Sequence, residues 1–441
     1  MVQTLKLMSM LGKLRKKRVD GLSILLYLSL VTIGWLNIYS STVSESETFL
    51  VDFSSIYGKQ LFFIGFSLVA ILLIFLIDTK LFERFSALFY LGTLVLLLGL
   101  FPFGKTIAGA TSWYGLGFFN LQPSELAKIA TALALAKYLS DIQTDIKNTT
   151  HAAIALCILG LPALLVIPQP DPGSALVFFA LGFVLFREGL SLKILWIGIG
   201  VLCLFISVLK WGTTWTIAGL FSTTSLYMVF KPKRIKISFS KLGLGLLFSV
   251  LLSYSVSFVF HEVFEQRHRD RFSLWLSLEK DPDAIEKIRR SIGYNTYQSK
   301  AAIASGGLFG KGFLEGTRTK GDFVPEQHTD YIFSTLGEEW GFMGTAGVVL
   351  IFTALLLRLL YLSERQTHAF NRMYGYGVVA ILGIHYMINI GMVLGLLPTI
   401  GIPLPFLSYG GSGMICFSLL LFIFLKLDGN RLSEWDSKNK S

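Results

Sequence analysis

Long apolar runs alternate with short polar ones along nearly the whole chain. At about 1.5 Å of rise per residue, a helix needs about twenty predominantly apolar residues to cross a hydrocarbon core of ~30 Å. Runs of that order lie near 22–41, 58–77, 84–103, 124–138, 152–168, 173–187, 192–209, 214–230, 242–260, 330–360, 373–397 and 407–426. The pattern predicts an all-α, polytopic membrane bundle of about twelve spans. No internal repeat is clear enough to predict two inverted halves. The first run follows a basic segment as a secretory signal would, but it is of spanning length and no small-residue cleavage site follows it, so a retained first helix is expected.

Composition narrows the function classes. Of 441 residues, 53% are hydrophobic and 15% charged, a balance more apolar than that of soluble domains. The formal net charge of +11 does not point to nucleic acid, because no run of interleaved basic and aromatic residues forms a soluble stripe. The basic residues gather instead between apolar runs, KLRKKR at 13–18 and KPKRIK at 231–236 being the clearest clusters. Such clusters mark cytoplasmic connections under the positive-inside rule. With a basic cytoplasmic N-terminus (1–20), alternation puts the 427–441 tail on the same side. It puts the segments rich in Gly, Pro and polar residues outside: 104–125, 168–174, the long 261–329 loop and 397–413. Chemistry carried by those segments is expected to be extracytoplasmic. Cys157, Cys203 and Cys416 sit in apolar runs without pairing or metal spacing and are expected to be packing residues.

Several polar motifs interrupt the pattern. QPSELAKIA (122–130) puts Pro123 in the first turn of a helix, with Glu125 near its positive end and Lys128 three residues on, on the same face. Ordinary helix-start chemistry explains it, and so does a polar pair at the wall of a cavity. QPDPGSAL (169–176) reads as a tight turn in which Asp171 caps the next helix, or as a broken helix presenting a carboxylate. SGGLFGKG (305–312) lacks the spacing of a nucleotide phosphate loop; its glycines permit tight turns or close backbone approach, and Lys311 could meet an anionic group.

Within the long loop, Arg267, Arg269 and Arg271 precede Asp281 and Asp283. A solvated charged loop is one reading. The other is group transfer from a pyrophosphate carrier, which needs cations for the departing group and a carboxylate to take a proton from the attacking hydroxyl. FVPEQHTDYIFSTLGEEWGF (323–342) sets Glu326, His328, Asp330, Glu338 and Glu339 against a hydrophobic run, where each ionised carboxylate needs a partner or a wet cavity. A helix is expected to start near Thr329, with Asp330 in its first turn and Glu338 about two turns deeper, roughly 12 Å in. These acids predict a cavity, and a proton relay and a substrate cleft both fit it.

Taken in order, QPSELAK, QPDPGSA, GYNTYQSKAAIASGGLFGKGFLEGTRTKGDFVPEQHTDYIFSTLGEEWGFMG and NIGMVLGLLPTIGIPLPFLSYGGSGM resemble the signature blocks of the SEDS family of shape, elongation, division and sporulation proteins. The match runs from about residue 20 to 428, and the 310–333 stretch resembles the elongation member more than the division member. The resemblance implies a single membrane domain over 1–441 that polymerises lipid II into peptidoglycan on the outer face of the bacterial cytoplasmic membrane. It also implies a class B penicillin-binding protein transpeptidase as partner, together with other membrane proteins of the elongation complex.

The family's essential Asp precedes the Gly-Tyr block and matches Asp281, which would deprotonate the acceptor sugar's 4-hydroxyl. Attack on the donor's anomeric carbon would then expel undecaprenyl pyrophosphate with inversion. Trp113, Glu125, Lys128, Lys311, Glu326, His328 and Asp330 match family positions as cleft or substrate contacts. Pro403, Pro405, Ser408 and Tyr409 match a C-terminal outer block that shapes the cavity. Asp171, Arg269, Arg271 and Glu338 join the candidates from their own chemistry. A divalent cation such as Mg or Mn would help pyrophosphate leave, though no dedicated ligand cluster stands out.

Two features depart from the family pattern. DAIEKIRRSI (283–292) is inserted before Gly293 and Tyr294, which makes Asp283 a rival base. The other is the span count: relatives have about ten, and the extra pair near 192–230 accounts for the surplus. A division-type septal polymerase, a lipid II flippase and a non-catalytic scaffold stay open as alternatives. The outer loop separates them, because only a polymerase needs Asp281 for glycan synthesis once lipid II is supplied outside.

Overall fold

Asp20 accepts the backbone N–H of Ser23 at 2.9 Å and so caps the first helix of an almost wholly helical membrane protein. The computed structural model describes residues 19–43, 52–107, 109–117, 119–230, 238–264, 266–279, 281–291, 293–321 and 323–438. The basic clusters at 13–18 and 231–236 lie outside the described residues, as do nearly all of 1–20 and the last three residues of the tail.

In chain order the elements are α1 (Gly21–Thr42), α2 (Ile56–Leu76), α3 (Thr79–Arg84) and α4 (Ser86–Phe103), then strands β1 (Lys105–Ile107), β2 (Ala110–Gly115) and β3 (Asn120–Leu121). Helices α5 (Pro123–Leu139), α6 (Thr149–Val166), α7 (Pro172–Ala180) and α8 (Gly182–Arg187) follow. Next come α9 (Leu192–Phe230), α10 (Phe239–Phe258), α11 (Gln266–Leu276) and α12 (Pro282–Arg290). The chain ends with α13 (Tyr294–Gly306), α14 (Thr317–Lys320), α15 (Ile332–Glu364), α16 (Ala369–Val393) and α17 (Gly411–Lys438).

Among the described residues, nine helices are long and apolar enough to cross a membrane. The remaining apolar runs of the sequence take shorter or kinked forms. The run at 124–138 forms the 17-residue α5, and the run at 173–187 forms the two short helices α7 and α8. The runs at 192–209 and 214–230 form the two halves of α9, two helical segments that meet at a kink where Gly212 takes a non-helical conformation (φ 80°, ψ 162°). The connection from α4 to α5 also departs from a purely α-helical expectation. It folds as a small antiparallel sheet, β1-β2-β3, with Lys105 opposite Trp113 and Tyr114 opposite Leu121.

The chain packs as two units. One comprises Met1–Leu190, Gln298–Gly395 and Thr399–Ser441; the other comprises Ser191–Tyr297 and Leu396–Pro398. In the first, α5, α16 and α17 are the buried helices, whereas α2 and α4 leave large apolar side chains such as Leu72, Leu76, Leu91 and Val95 exposed, as lipid-facing helices do. Ion pairs tie helix ends together: Arg358 to Asp20 at 2.5 Å, Arg365 to Asp428 at 2.5 Å, Arg372 to Glu188 at 3.1 Å and Lys137 to Glu83 at 2.9 Å. In the second unit, Leu204 and Val208 of α9 pack on Val256 of α10. Phe205 and Phe260 meet Phe272 of α11, with ring centroids 5.6 and 6.4 Å apart, so α9 and the residues that follow α10 share an aromatic core with the first part of the long loop.

Helix α15 is broken at Gly341 (φ 64°, ψ −162°). A break at membrane depth leaves backbone groups that must find partners within the protein. The glycine-rich segment 307–312 supplies them. The N–H groups of Lys311 and Gly312 donate to the carbonyls of Glu338 and Glu339 at 3.0 Å each, and those of Phe342 and Met343 donate to Gly307 and Leu308 at 2.9 and 3.0 Å. The contact leaves no room for side chains: a Cβ at Gly310 would lie 2.1 Å from the Glu339 carbonyl oxygen, and one at Gly341 would lie 2.2 Å from the Gly310 nitrogen.

Two predictions follow from this packing. Gly310→Ala and Gly341→Ala, each at positive φ and each meeting backbone, lower stability by more than about 2 kcal/mol. Gly307→Ala, at φ 57° with nothing within 4 Å, costs about 1 kcal/mol from its backbone alone; melting of the three detergent-solubilised variants ranks them. The second prediction concerns Asp20. Burial pushes its carboxyl up, but the Arg358 guanidinium and the Ser23 N–H and hydroxyl outweigh that and hold it at about 2, below the ordinary 3.8. A carboxylate depressed on folding stabilises above its unfolded value and loses that contribution as pH falls through its folded one. The wild-type melting temperature should therefore drop between pH 3.8 and about 2 more steeply than that of Asp20→Asn.

Candidate active site

Pro123 starts α5 with its ring at the position where no N–H is required, and this places Glu125 in the first turn and Lys128 one turn on. Lys128 Nζ donates to Glu125 Oε1 at 2.6 Å, with both side chains buried. The ammonium also reaches His385 Nε2 of α16 at 2.9 Å and lies 5.3 Å from the centre of the Phe417 ring of α17. Glu125 Oε2 is buried without a hydrogen-bond partner among the described residues. A buried charge pair gains stability only when its remaining polar atoms are also met, so this site holds unused bonding capacity.

The other Gln-Pro motif lies beside the first. Asp171 caps α7 through Oδ1, which accepts the Ser174 N–H at 3.0 Å, and its Oδ2 accepts Gln122 Nε2 at 3.0 Å. Asp171 is thus both a cap and a cross-link to the start of α5. Gln169 Nε2 donates to the Leu97 carbonyl at 3.1 Å, while the Gln169 carbonyl accepts the Thr111 N–H at 3.2 Å and holds β2 in place. Trp113, half-buried on β2, stands on this small sheet beside Ser112.

Glu338, fully buried, is the most heavily bonded acid of the first unit. Its Oε1 accepts from Lys311 Nζ at 2.6 Å, the Arg318 N–H at 3.0 Å, Thr317 Oγ1 at 3.3 Å and Ser305 Oγ at 3.4 Å. Its Oε2 accepts from the Thr319 N–H and hydroxyl at 2.8 Å each. Lys311 does meet an anionic group, and that group is Glu338 of the same chain. Glu339 accepts from Ser40 Oγ of α1.

Helix α15 begins at Ile332, three residues later than the sequence suggests, because residues 325–331 form consecutive turns. Asp330 therefore precedes the helix. Its carbonyl accepts Asn389 Nδ2 at 2.8 Å, and Asn389 also donates to the Ile402 carbonyl at 2.7 Å. Glu326 is exposed and accepts Thr329 Oγ1 at 2.7 Å. Ser408 Oγ donates to the Thr329 carbonyl at 2.7 Å and accepts the Leu404 N–H at 2.8 Å. The Tyr409 N–H donates to the His328 carbonyl at 2.8 Å, and the two rings meet edge-on at 5.7 Å. The segment 404–409 is thus stitched to the turns before α15.

In the second unit, Asp281 is exposed at the N-cap of α12, its Oδ1 accepting the Asp283 N–H at 3.2 Å. Asp283 lies in the first turn of the same helix. Arg269 and Arg271 belong to α11, and Arg269 donates to the His261 carbonyl at 2.8 Å. The inserted residues 283–290 are helical rather than an irregular loop extension.

Among the described residues, no three or more His, Cys, Asp or Glu side chains cluster as a metal cage. His385 and Asn389 were not among the candidates read from the sequence. The available signal was their spacing, two polar side chains four apart on one face of an otherwise apolar helix.

Fold and site together define a multi-pass helical membrane protein with a buried polar centre roofed by irregular segments. The model of the cell cycle protein family of FtsW, RodA and SpoVE, the SEDS proteins, matches residues 21–227 and 216–432, and the chain belongs to this family. Peptidoglycan glycosyltransferase MrdB of Escherichia coli K12 is 31% identical over 403 residues, which are 91% of this chain and 90% of that protein. Peptidoglycan glycosyltransferase RodA of Treponema pallidum is 32% identical over 430 residues, 92% of this chain and 97% of that protein. Among solved structures, a chain of a peptidoglycan synthase complex studied for the coordination of polymerization and crosslinking has TM-score 0.67 and 25% identity, with 94% of this chain and 98% of that one covered.

Glu338→Ala removes the acceptor of Lys311 and of the 317–319 segment. Breaking a buried pair on one side costs about 3–5 kcal/mol. The expected outcome is a lower melting temperature and faster trypsin cleavage after Lys311, Arg318 and Lys320, with Glu338→Gln intermediate.

Proposed function

We propose that this chain is a peptidoglycan glycosyltransferase that polymerises lipid II during cell elongation, with Asp281 as its general base. The observation that carries the reading is the similarity, at 31–32% identity over about nine-tenths of the chain, to MrdB and RodA, both named as peptidoglycan glycosyltransferases. The acceptor sugar's 4-hydroxyl attacks the donor's anomeric carbon. Its proton passes to the Asp281 carboxylate as the new C–O bond forms, and the bond to undecaprenyl pyrophosphate breaks with inversion. Asp281 suits the task because it is exposed and its Oδ1 is already occupied by the Asp283 N–H, so Oδ2 is the oxygen that takes the proton. Arg269 and Arg271 on the neighbouring α11 supply cations for the departing pyrophosphate.

In this reading both termini are cytoplasmic, as the basic clusters between apolar runs suggest, and the segments 104–125, 168–174, 261–329 and 397–413 face outward, so the reaction is extracytoplasmic. The partner in this reading is a class B penicillin-binding protein transpeptidase, in line with the synthase complex to which the chain is similar. Within the first unit, Trp113, Asp171, Glu326, His328, Asp330, Ser408, Tyr409 and the Glu125–Lys128 pair are the candidates for substrate contact in this reading.

Labelled lipid II, purified protein and a cognate transpeptidase without its active serine test this directly. Wild type and Asp283→Ala should make glycan strands, and a folded Asp281→Ala should lose at least about a hundredfold in rate. Loss confined to Asp283→Ala moves the base by two residues. No glycan from wild type, with movement of lipid II across liposomes, replaces the polymerase by a flippase.

A further inference from the structure

The Lys128 ammonium has only protons to offer, so its 2.9 Å contact with His385 Nε2 requires that nitrogen to be an acceptor. A neutral imidazole with Nε2 bare carries its proton on Nδ1. That proton points at the Pro403 carbonyl, 3.2 Å away. His385 is fully buried and held edge-on against Phe417, with ring centroids 4.8 Å apart, so the ring has no room to turn and exchange its nitrogens. One turn on, Asn389 holds the neighbouring Ile402 carbonyl. The two side chains fasten to α16 the segment that carries Ser408 and Tyr409, and through these the carbonyls of His328 and Thr329.

We infer that His385 is a positioning residue: Lys128 fixes its tautomer, its Nδ1–H then anchors the Pro403 carbonyl, and the buried Glu125–Lys128 pair thereby sets the shape of the outer segment 402–409. The chain of contacts spans 257 residues of sequence between Lys128 and His385, and Lys128 itself is not bonded to the segment that it governs. This deepens the polymerase reading and rests on it.

The test exploits the side chains that imitate one ring nitrogen each. The Asn amide reaches about as far as Nδ1 and the Gln amide about as far as Nε2. His385→Gln keeps an acceptor for Lys128 and loses the Pro403 anchor, whereas His385→Asn keeps the anchor. Full-length protein is followed in two ways: amide hydrogen exchange at Leu404, Ser408 and Tyr409, and lipid II polymerisation with the transpeptidase partner. Exchange should rise about tenfold in His385→Gln and also in Lys128→Met, which does not touch the segment, and should stay within threefold of wild type in His385→Asn. Turnover should fall about tenfold in His385→Gln with KM changed less than threefold, and His385→Asn should recover most of it.

Unchanged exchange in either Lys128→Met or His385→Gln overturns the inference, as does turnover of His385→Gln within twofold of wild type. Melting temperatures identify a variant that has simply unfolded, and His385→Asn then carries the comparison. If wild type makes no glycan, the polymerase reading fails separately, and the exchange arm still decides whether Lys128 governs the segment.

Discussion

A carboxylate inside an apolar bundle must be met by donors, and the way Glu338 is met organises one side of the proposed active site. Six hydrogen bonds converge on its two oxygens, from a lysine, two threonine hydroxyls, a serine hydroxyl and two backbone N–H groups. Charge-assisted bonds of this kind are roughly twice as strong as neutral ones, and in a low-dielectric interior their loss is costly. The segment from Ser305 to Thr319 is therefore wrapped around one side chain rather than around a hydrophobic core of its own. The break in α15 at Gly341 belongs to the same arrangement, because the carbonyls of Glu338 and Glu339 that it frees are taken by the N–H groups of Lys311 and Gly312.

A second buried charge, Lys128, meets α16 at His385. Its ammonium is shared between a carboxylate, an imidazole and an aromatic face. Both centres use charge that never leaves the protein to hold irregular backbone in shape. The chemistry assigned to Asp281 needs the contrary, a carboxylate open to a substrate hydroxyl, and its position at the exposed N-cap of α12 provides that. Buried, bonded acids and exposed ones such as Asp281 make a division of labour that charge alone in the sequence does not reveal.

The second unit is held together by apolar contacts of its own. Helices α9 and α10 leave most of their apolar surface facing outward, as membrane helices do, and bury Leu204, Val208 and Val256 between them. Phe205 and Phe260 extend that contact to Phe272 of α11. Arg269 and Arg271 thus sit on a helix whose apolar face is packed within the membrane pair's own unit.

Much was legible locally. Apolar runs of spanning length, Pro123 and Pro172 at helix starts, the Asp171 cap and the pairing of Glu125 with Lys128 all depend on residues within a turn or two of each other, so spacing along the chain suffices to predict them. Hydropathy marks where apolar runs lie but not whether a run forms a 17-residue helix, two short helices or one half of a helix pair that meets at a glycine. The small sheet was missed because three strands of two to six residues carry too little pattern to read. Which partner each buried charge takes was decided by the tertiary structure alone: Lys311 finds Glu338 across 27 residues, and Lys128 finds His385 across 257. Sequence determines that such charges must be satisfied, since an unpaired ion in an apolar bundle is costly. Only the packing of α5 against α16, and of the glycine-rich segment against the broken α15, determines by whom.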